Sequence, residues 1–434
     1  MTSSSGLAKL ARLPSRRDSI SGVSKLPIRA RVATTLGEAA GKMSRLAGRG
    51  DGSVIGGVVG LRVAPDLLTQ LAVGRQVVLV TGTNGKTTTT RLVAAAIGSV
   101  GQDVASNAFG ANMESGLVAA LAGALDAPFA VLEVDERHLP KIMEATRPRV
   151  VALLNLSRDQ MDRAAEIWLV ARRWREAFAA MPDIHVVANA DDPLVAWAAG
   201  SATSVSWVAA GQRWHEDSWC CPECGSHLRR DELGWRCGEC GLSRPSARWV
   251  LDGTAVIDAS GAVRELGLSL PGRANRSNAV IALAVASFFG VDVDQALPHL
   301  RSVTSVAGRY TTVQRRGRNL RLLLAKNPAG WLEAFDVLGQ DGRPVLLAVN
   351  AQGPDGRDTS WLWDVDYRVL RSRPVLVAGE RRTDLAVRLE VAQVPFDLVD
   401  GVEEAVDRVP PGDLDVIANY TAFQQIRAIL GRTT

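Results

Sequence analysis

At 434 residues with 47% hydrophobic content, the chain has material for two or three domains with full cores and the composition of an ordinary soluble globular protein. Its apolar runs, such as 150–154 and 345–349, are strand-length and fall well short of the roughly 18 residues a spanning helix needs, which argues against a membrane-spanning protein. A formal net charge of +4 does not by itself argue for nucleic acid, and five cysteines confined to 220–240 exclude a disulfide framework and indicate a reducing compartment and a metal.

In chain order, residues 1–50 are rich in Ser, Arg, Ala and Gly with few acids. They superficially resemble an organelle transit peptide, but they lack the apolar core of roughly 7–15 residues of a secretory signal and read more simply as a basic, partly helical lead-in. Within 29–46, Val32, Leu36, Ala39, Met43 and Leu46 recur at helical intervals and give one weakly apolar face. That face either packs on the body of the protein or rests near an anionic membrane surface, and the sequence does not choose between them.

The apolar strand expected over 75–81 runs into Gly82-Thr83-Asn84-Gly85-Lys86-Thr87-Thr88 and a helix over 89–97. Successive backbone N–H groups and the helix start suit a triphosphate, Lys86 would neutralise the β/γ oxygens, and Thr87 would hold magnesium. The consensus loop has a glycine where this chain has Val80, so the match is to a variant. A glycine turn placed for steric reasons alone is the bland alternative. Against it, the chain has only six lysines, at 9, 25, 42, 86, 141 and 326, and a lysine inside such a motif is poor filler.

From 75 to about 208 strand-like runs (75–81, 129–134, 150–155, 184–189) alternate with helical patterns, the signature of a parallel sheet covered on both faces. Glu133 and Asp135 end one such strand, and Asn155 to Asp162 follow another, at the carboxyl edge where open α/β sheets bind ligands. Residues 212–249 break the pattern and read as an insertion, with alternation resuming around Leu268. Cys221-Pro-Glu-Cys224 and Cys237-Gly-Glu-Cys240 each put two thiolates on a tight turn followed by glycine, a spacing suited to one structural zinc closed by four thiolates. Cys220 is spare, and His215 and His227 are alternative ligands. The ribbon lacks a dense basic face, so its expected task is holding the insertion together. Helical sequence dominates 275–300, Gly308-Arg309 marks a hinge, and strands at 320–325, 345–350, 375–378 and 414–418 form a second series. The division expected is thus a lead-in (1–50), a central α/β domain (51–310) and a smaller C-terminal α/β domain (311–434).

The phosphate loop, the acid in Leu132-Glu133-Val134-Asp135, Asn155 to Asp162, Asn189-Ala-Asp-Asp192, Gly272-Arg-Ala-Asn275-Arg-Ser-Asn278-Ala and Gly308-Arg309 together resemble the Mur ligase superfamily, which joins carboxylates to amines through acyl phosphates. Within it, the zinc ribbon and the segments 324–330 and 355–361 resemble the MurT family of lipid II isoglutaminyl synthase subunits. The resemblance covers nearly everything after residue 70. It implies ATP, Mg2+ and Zn2+ as cofactors, a Mur ligase-like central parallel-sheet ATPase domain, nucleotide contacts from Gly82 to Thr88 and at Asn278 and Arg309, magnesium at Thr87 and Glu133, and catalytic roles for Lys86, Glu133 and Asp358.

It further implies a cytoplasmic enzyme, working at the inner face of the membrane, that phosphorylates the α-carboxylate of the stem-peptide D-glutamate of lipid II. Ammonia then attacks to give D-isoglutamine. No lysine lies between 141 and 326, where amino-acid-adding Mur ligases carry a carbamylated one, and Lys326-Asn327-Pro328 replaces their C-terminal histidine motif, so the amine acceptor is not expected to be an amino acid. Four cysteines are assigned to zinc and Cys220 adjoins them, which leaves no glutaminase nucleophile here. A GatD-like glutamine amidotransferase partner is therefore implied, with Asp358 orienting its histidine. Asp355 and Asp364 are alternatives, and an N-cap before Thr359 is the bland reading of Asp358. No nucleic-acid partner is expected, and membrane contact is expected only through the lipid-linked substrate. The competing readings are an ATP-dependent ligase adding an amino acid to a peptide or folate, and a nucleotide-switched zinc-ribbon protein that binds nucleic acid.

Overall fold

A computed structural model describes residues 26–46, 53–107, 110–159, 166–306, 309–339 and 341–431. Most of the basic lead-in, together with Asp162 and Gly308, lies outside these residues. The chain divides into two compact units: Met1–Leu156, Trp168–Leu270 and Asn275–Thr304 form the first, and Ser157–Ile167, Pro271–Ala274 and Ser305–Thr434 the second. Two short segments of the stretch expected to be central thus belong with the C-terminal unit.

The first unit is built on nine strands in the order β11-β10-β9-β6-β5-β4-β1-β3-β2. The parallel part comprises β1 (Gln76–Thr81), β2 (Val104–Ser106), β3 (Phe129–Glu133), β4 (Val150–Leu153), β5 (His185–Asn189) and β6 (Ser204–Ala209). β3, β4 and β5 are buried at every residue, as strands covered on both faces must be, which is why they read as continuous apolar runs. Chain order sends β1 outward to β2, while β3, its neighbour, returns past β1 to β4. The carboxyl ends of β1 and β3 therefore flank the crevice where the winding direction reverses.

After β6 come a two-stranded ribbon, β7 (Leu228–Asp231) and β8 (Gly234–Cys237), and then β9 (Trp249–Asp252), β10 (Ala255–Ile257) and β11 (Val263–Glu265). β9 adds parallel to β6, and β10 and β11 continue the sheet antiparallel. Regular structure thus resumes at Trp249 rather than around Leu268. Strands of three and four residues carry too little periodicity to stand out. The helical stretch expected over 275–300 is two helices, Arg273–Phe288 and Val293–Arg301, separated where Gly290 turns at φ +81° and the Asp292 carboxylate accepts the Asp294 N–H.

The second unit has six strands in the order β12-β13-β17-β14-β15-β16, with β12 (Tyr310–Arg315), β13 (Arg318–Leu324), β14 (Val345–Ala348), β15 (Val375–Ala378), β16 (Asp397–Leu398) and β17 (Gly412–Ala418). β12 and β13 form a hairpin whose two linking residues, Arg316 and Gly317, both have positive φ, the geometry a right-twisted two-residue turn requires. The other pairings are parallel, with an apolar layer on each face of the sheet.

Candidate functional site

β1 delivers the chain into Gly82 at φ +140°, where a Cβ would stand 2.8 Å from Leu154 Cβ and 3.0 Å from the Asn155 backbone, so no side chain fits. Asn155, just past β4, clamps the loop. Its carbonyl accepts the Thr83 N–H (2.9 Å), its Oδ1 accepts the Asn84 N–H (2.9 Å), and its Nδ2 donates to the Asn84 carbonyl (3.0 Å). Gly85 precedes the helix Lys86–Gly98 at φ +88°, and a Cβ there would meet Asn278 Oδ1 at 2.7 Å. Asn278, from the helix Arg273–Phe288, thus closes over the turn.

Lys86 is only 3% exposed, and its Nζ donates to the Gly82 carbonyl (2.7 Å) and to Glu136 Oε2 (3.1 Å). Thr87 Oγ1 donates to Glu133 Oε2 (2.7 Å), joining the first helical turn to the end of β3. Glu133 is fully buried, and Asn107 brackets its backbone, accepting the Glu133 N–H (2.7 Å) and donating to its carbonyl (2.9 Å). A lysine, a hydroxyl and a carboxylate therefore converge on a helix N-terminus at the switch point between β1 and β3, an arrangement suited to polyphosphate. The Thr87 and Glu133 oxygens are hard donors already in contact, and they fit a magnesium ion.

Asp135 turns to its own loop and meets His138 Nδ1 at 3.1 Å. Burial pushes its carboxyl up, but His138, Arg137 and Lys86 outweigh burial and leave it below the usual carboxylate range. Asp192 serves architecture: without exposed surface, it accepts the N–H groups of Leu156 (2.8 Å), Leu194 (2.9 Å) and Val195 (3.1 Å), and burial raises it to about 6. Asp191 pairs with Arg244 of the cysteine-bearing insertion at 2.6 Å.

The thiols of Cys221, Cys224, Cys237 and Cys240 lie within 4.8 Å of one another, with Sγ–Sγ separations of 3.6 Å for Cys221–Cys240 and 3.5 Å for Cys224–Cys237. A tetrahedral centre with bonds of about 2.3 Å would space its sulfurs about 3.8 Å apart, so the four fit one zinc with no open position. Gly225 and Gly241, both at φ +78°, form the two knuckle turns. Cys221 and Cys237 are packed with Leu228 and Trp235, and the Trp235 indole donates to the Ala190 carbonyl (3.0 Å). Trp168 donates to the Pro222 carbonyl (2.8 Å), so the insertion is docked on the sheet domain at several points. Cys220 is exposed and pairs in a bridge with His227, outside the four-thiol cluster.

In the second unit, Asp358 lies two residues before the 3-10 turn Ser360–Asp364, whose N-cap is Thr359 rather than Asp358 as the bland reading had it. Its Oδ1 accepts the Ser360 N–H (2.8 Å) and its Oδ2 the Ser360 hydroxyl (3.0 Å). A small cleft there also holds Asp159, ion-paired with Lys326, and Asp364, which accepts from Arg158 (3.3 Å). Asp355 is engaged by the Thr421 N–H (3.2 Å) and hydroxyl. Asn327 caps the helix Pro328–Leu338 by accepting the Gly330 N–H (2.9 Å). Arg309 lies in this unit at the start of β12, and its carbonyl accepts the Leu324 N–H (2.9 Å).

Gly82 to Thr88, Glu133 and Asn278 are therefore brought together in the first unit, Asp358 and Arg309 belong to the second, and the polar run after β4 is divided: Asn155 holds the Gly82–Thr88 turn, whereas Asp159 pairs with Lys326. Sequence reasoning missed Glu136 and Asn107. Glu136 follows the strand-end acids directly and was within reach. Asn107 follows a three-residue strand that only its pairing with β3 reveals.

A Mur ligase middle domain family matches residues 80–286, and a MurT ligase C-terminal family matches 324–423. The MurT subunit of the glutamine-hydrolysing lipid II isoglutaminyl synthase of Streptococcus pneumoniae is 30% identical over 443 aligned residues, spanning 92% of this chain and 97% of that protein. The Staphylococcus aureus (strain COL) subunit of the same name is 28% identical with the same shares covered. Among solved structures, a pseudomurein peptide ligase type C from Methanothermus fervidus superposes with a TM-score of 0.66 at 20% identity, over 85% of this chain and 81% of that one, which is a likeness of fold.

Proposed function

Because the chain belongs to the MurT family of ATP-dependent, Mur ligase-fold enzymes, we propose that it is the synthetase subunit of a lipid II isoglutaminyl synthase, amidating the D-glutamate α-carboxylate of the stem peptide. The observation that carries this reading is the coupling of Lys86 and the Thr87–Glu133 pair at one crevice in a chain that matches a MurT subunit over almost its whole length.

In the proposed reaction a substrate carboxylate oxygen attacks the γ-phosphorus of ATP, the bond to the β-bridging oxygen breaks, and ADP leaves an acyl phosphate behind. Ammonia nitrogen then attacks the acyl carbon, inorganic phosphate departs, and the nitrogen loses a proton to give the amide. Lys86 neutralises charge on the transferring group from a rigid loop held by Asn155, so little reorganisation is needed at the moment of transfer. Magnesium at Thr87 and Glu133 would supply further charge neutralisation on the phosphate oxygens.

The ammonia comes from a GatD-like glutamine amidotransferase, since a glutaminase needs a nucleophile of its own, four of the five cysteines converge on a candidate zinc site, and Cys220 adjoins them. Asp358 is the residue we assign to orienting the partner's histidine. Asp355 is bound by Thr421 and Asp364 by Arg158, whereas Asp358 is held by its own turn. Among the described residues no helix is long and apolar enough to cross a membrane. The site of action on this reading is the cytoplasmic face of the membrane, where the lipid-linked substrate is presented.

The test of this assignment is Asp358→Asn in the assembled complex. Amidation driven by glutamine should fall by about 100-fold or more, while amidation driven by ammonium should change by less than about twofold. Equal loss with both nitrogen sources would place Asp358 in the synthetase reaction or in folding instead.

A further inference from the structure

The helix Ile28–Leu46 is assembled inside out. Its small residues Ala30, Ala33, Gly37 and Gly41 face the protein and are buried. A Cβ on Gly37 would meet the Gly56 carbonyl oxygen of the next helix, Ser53–Val63, at 2.6 Å, and one on Gly56 would meet the Gly37 oxygen at 2.7 Å. The two helices thus cross backbone to backbone, and nothing larger than glycine fits at the crossing. The large apolar side chains are displaced to the opposite face: Ile28, Val32, Leu36, Met43 and Leu46 are 47% to 89% exposed. At 3.6 residues per turn these five fall within about 80° of one another, a single stripe along the helix. The neighbouring helix adds exposed Val54, Ile55 and Val58.

Basic groups border the stripe. Arg29 lies on one side and Arg31 and Lys42 on the other, all exposed, with Arg62 exposed on the second helix. Residues 1–50 hold ten Lys or Arg and two acids, a net +8 against +4 for the whole chain, so the remainder carries a net −4. Within 28–46 the sequence has Arg29, Arg31, Lys42 and Arg45 against one acid, Glu38, so the helix that turns this apolar face outward carries a net positive charge. Aliphatic residues in line with Lys and Arg on the flanks are what a helix lying in the interface of an anionic bilayer requires: the apolar side chains enter the acyl boundary and the basic ones meet lipid phosphates.

We propose that the stripe Ile28, Val32, Leu36, Met43 and Leu46, with its basic flanks, is a docking surface for an anionic membrane leaflet, so that the chain holds the bilayer directly as well as through any lipid-linked substrate. The inference goes beyond the proposed reaction and does not depend on it, because vesicle binding is read without substrate.

The experiment is flotation of the full chain on vesicles of phosphatidylglycerol or of phosphatidylcholine, with no lipid II present. Binding should favour phosphatidylglycerol and weaken as salt is raised. Val32→Ser with Leu36→Ser and Met43→Ser should reduce the bound fraction about tenfold or more, with the melting temperature unchanged because these side chains are not part of the core. Arg31→Glu with Lys42→Glu should remove the preference for the anionic lipid. Amidation of detergent-solubilised lipid II by the apolar variant, driven by ammonium, should be unaltered, which separates failure of this surface from failure of the catalytic reading. Absence of flotation on either vesicle, or flotation unaltered in the apolar variant, overturns the proposal. So does a self-association of the native chain that the apolar variant abolishes, which would assign the stripe to a second copy.

Discussion

Lys86 is an ionisable group held almost out of solvent by a backbone carbonyl and one carboxylate, on a turn that accepts no other residue at two of its positions. Lys86→Ala should leave the fold intact and lower ATP-dependent turnover by ~10²–10³, measured as phosphate release in the presence of acceptor. Gly85→Ala forces a Cβ to 2.7 Å from Asn278 Oδ1 at a left-handed φ and should cost both stability and nucleotide affinity, read by calorimetry. His185 makes a different prediction. Its ring nitrogens meet the hydroxyls of Ser204 (2.8 Å) and Ser206 (2.9 Å), it stacks on Phe288, and burial lowers it to about 4. The unfolded chain takes up this proton near 6.5 and the folded chain resists it. The stabilisation is therefore complete above that pH and is lost as pH falls through the window to about 4, to a limit of about 3 kcal/mol. His185→Gln should flatten the decline in chemical-denaturation stability over that window. At this scale the turn from Gly82 to Thr88, for which phosphate binding is proposed, stood out because its seven residues are consecutive in the sequence. Glu136 and Asn107 were not singled out, since their parts depend on which strand lies beside which.

Elements were legible in proportion to their length and to the purity of their period. β1, β3, β4 and β5 are doubly covered and stand out as apolar runs, whereas β9, β10 and β11 are short, partly exposed and escaped notice. The helix Ile28–Leu46 shows another limit: periodicity located its apolar face, but burial of that face could not be inferred, because the paired glycines of two helices decide which side packs. The ribbon was legible from its cysteine spacing alone. Its interior is thinner than a domain core, built on Leu228 and Trp235 beside two of the thiols, so the metal should supply much of its order. One zinc per chain is expected by elemental analysis. Cys237→Ser or prolonged chelation should lower the melting temperature and shift Trp235 fluorescence toward that of exposed indole. A metal-free chain with unaltered melting would contradict the structural assignment.

For the whole molecule, two α/β units are each built on a mainly parallel sheet, and residues with chemical character follow the carboxyl ends of strands in both: Lys86, Thr87 and Glu133 in one, Lys326, Asp355 and Asp358 in the other. The two-unit organisation was apparent from two separate alternating series. That Ser157–Ile167 and Pro271–Ala274 join the C-terminal unit was not, because those segments carry no periodicity of their own. The proposed reaction asks the first unit for phosphoryl transfer and the second for a partner's ammonia, and it predicts that the chain alone works with ammonium. The measurement that tests this most directly is ATP-dependent conversion of purified lipid II by the isolated chain, supplied with ammonium or with glutamine and read by the mass of the stem peptide. Exchange of a carboxyl hydroxyl for an amino group with ammonium, and none with glutamine until a glutaminase partner is added, is the expected result. No conversion with ammonium, together with turnover when free amino acids are supplied, would contradict it.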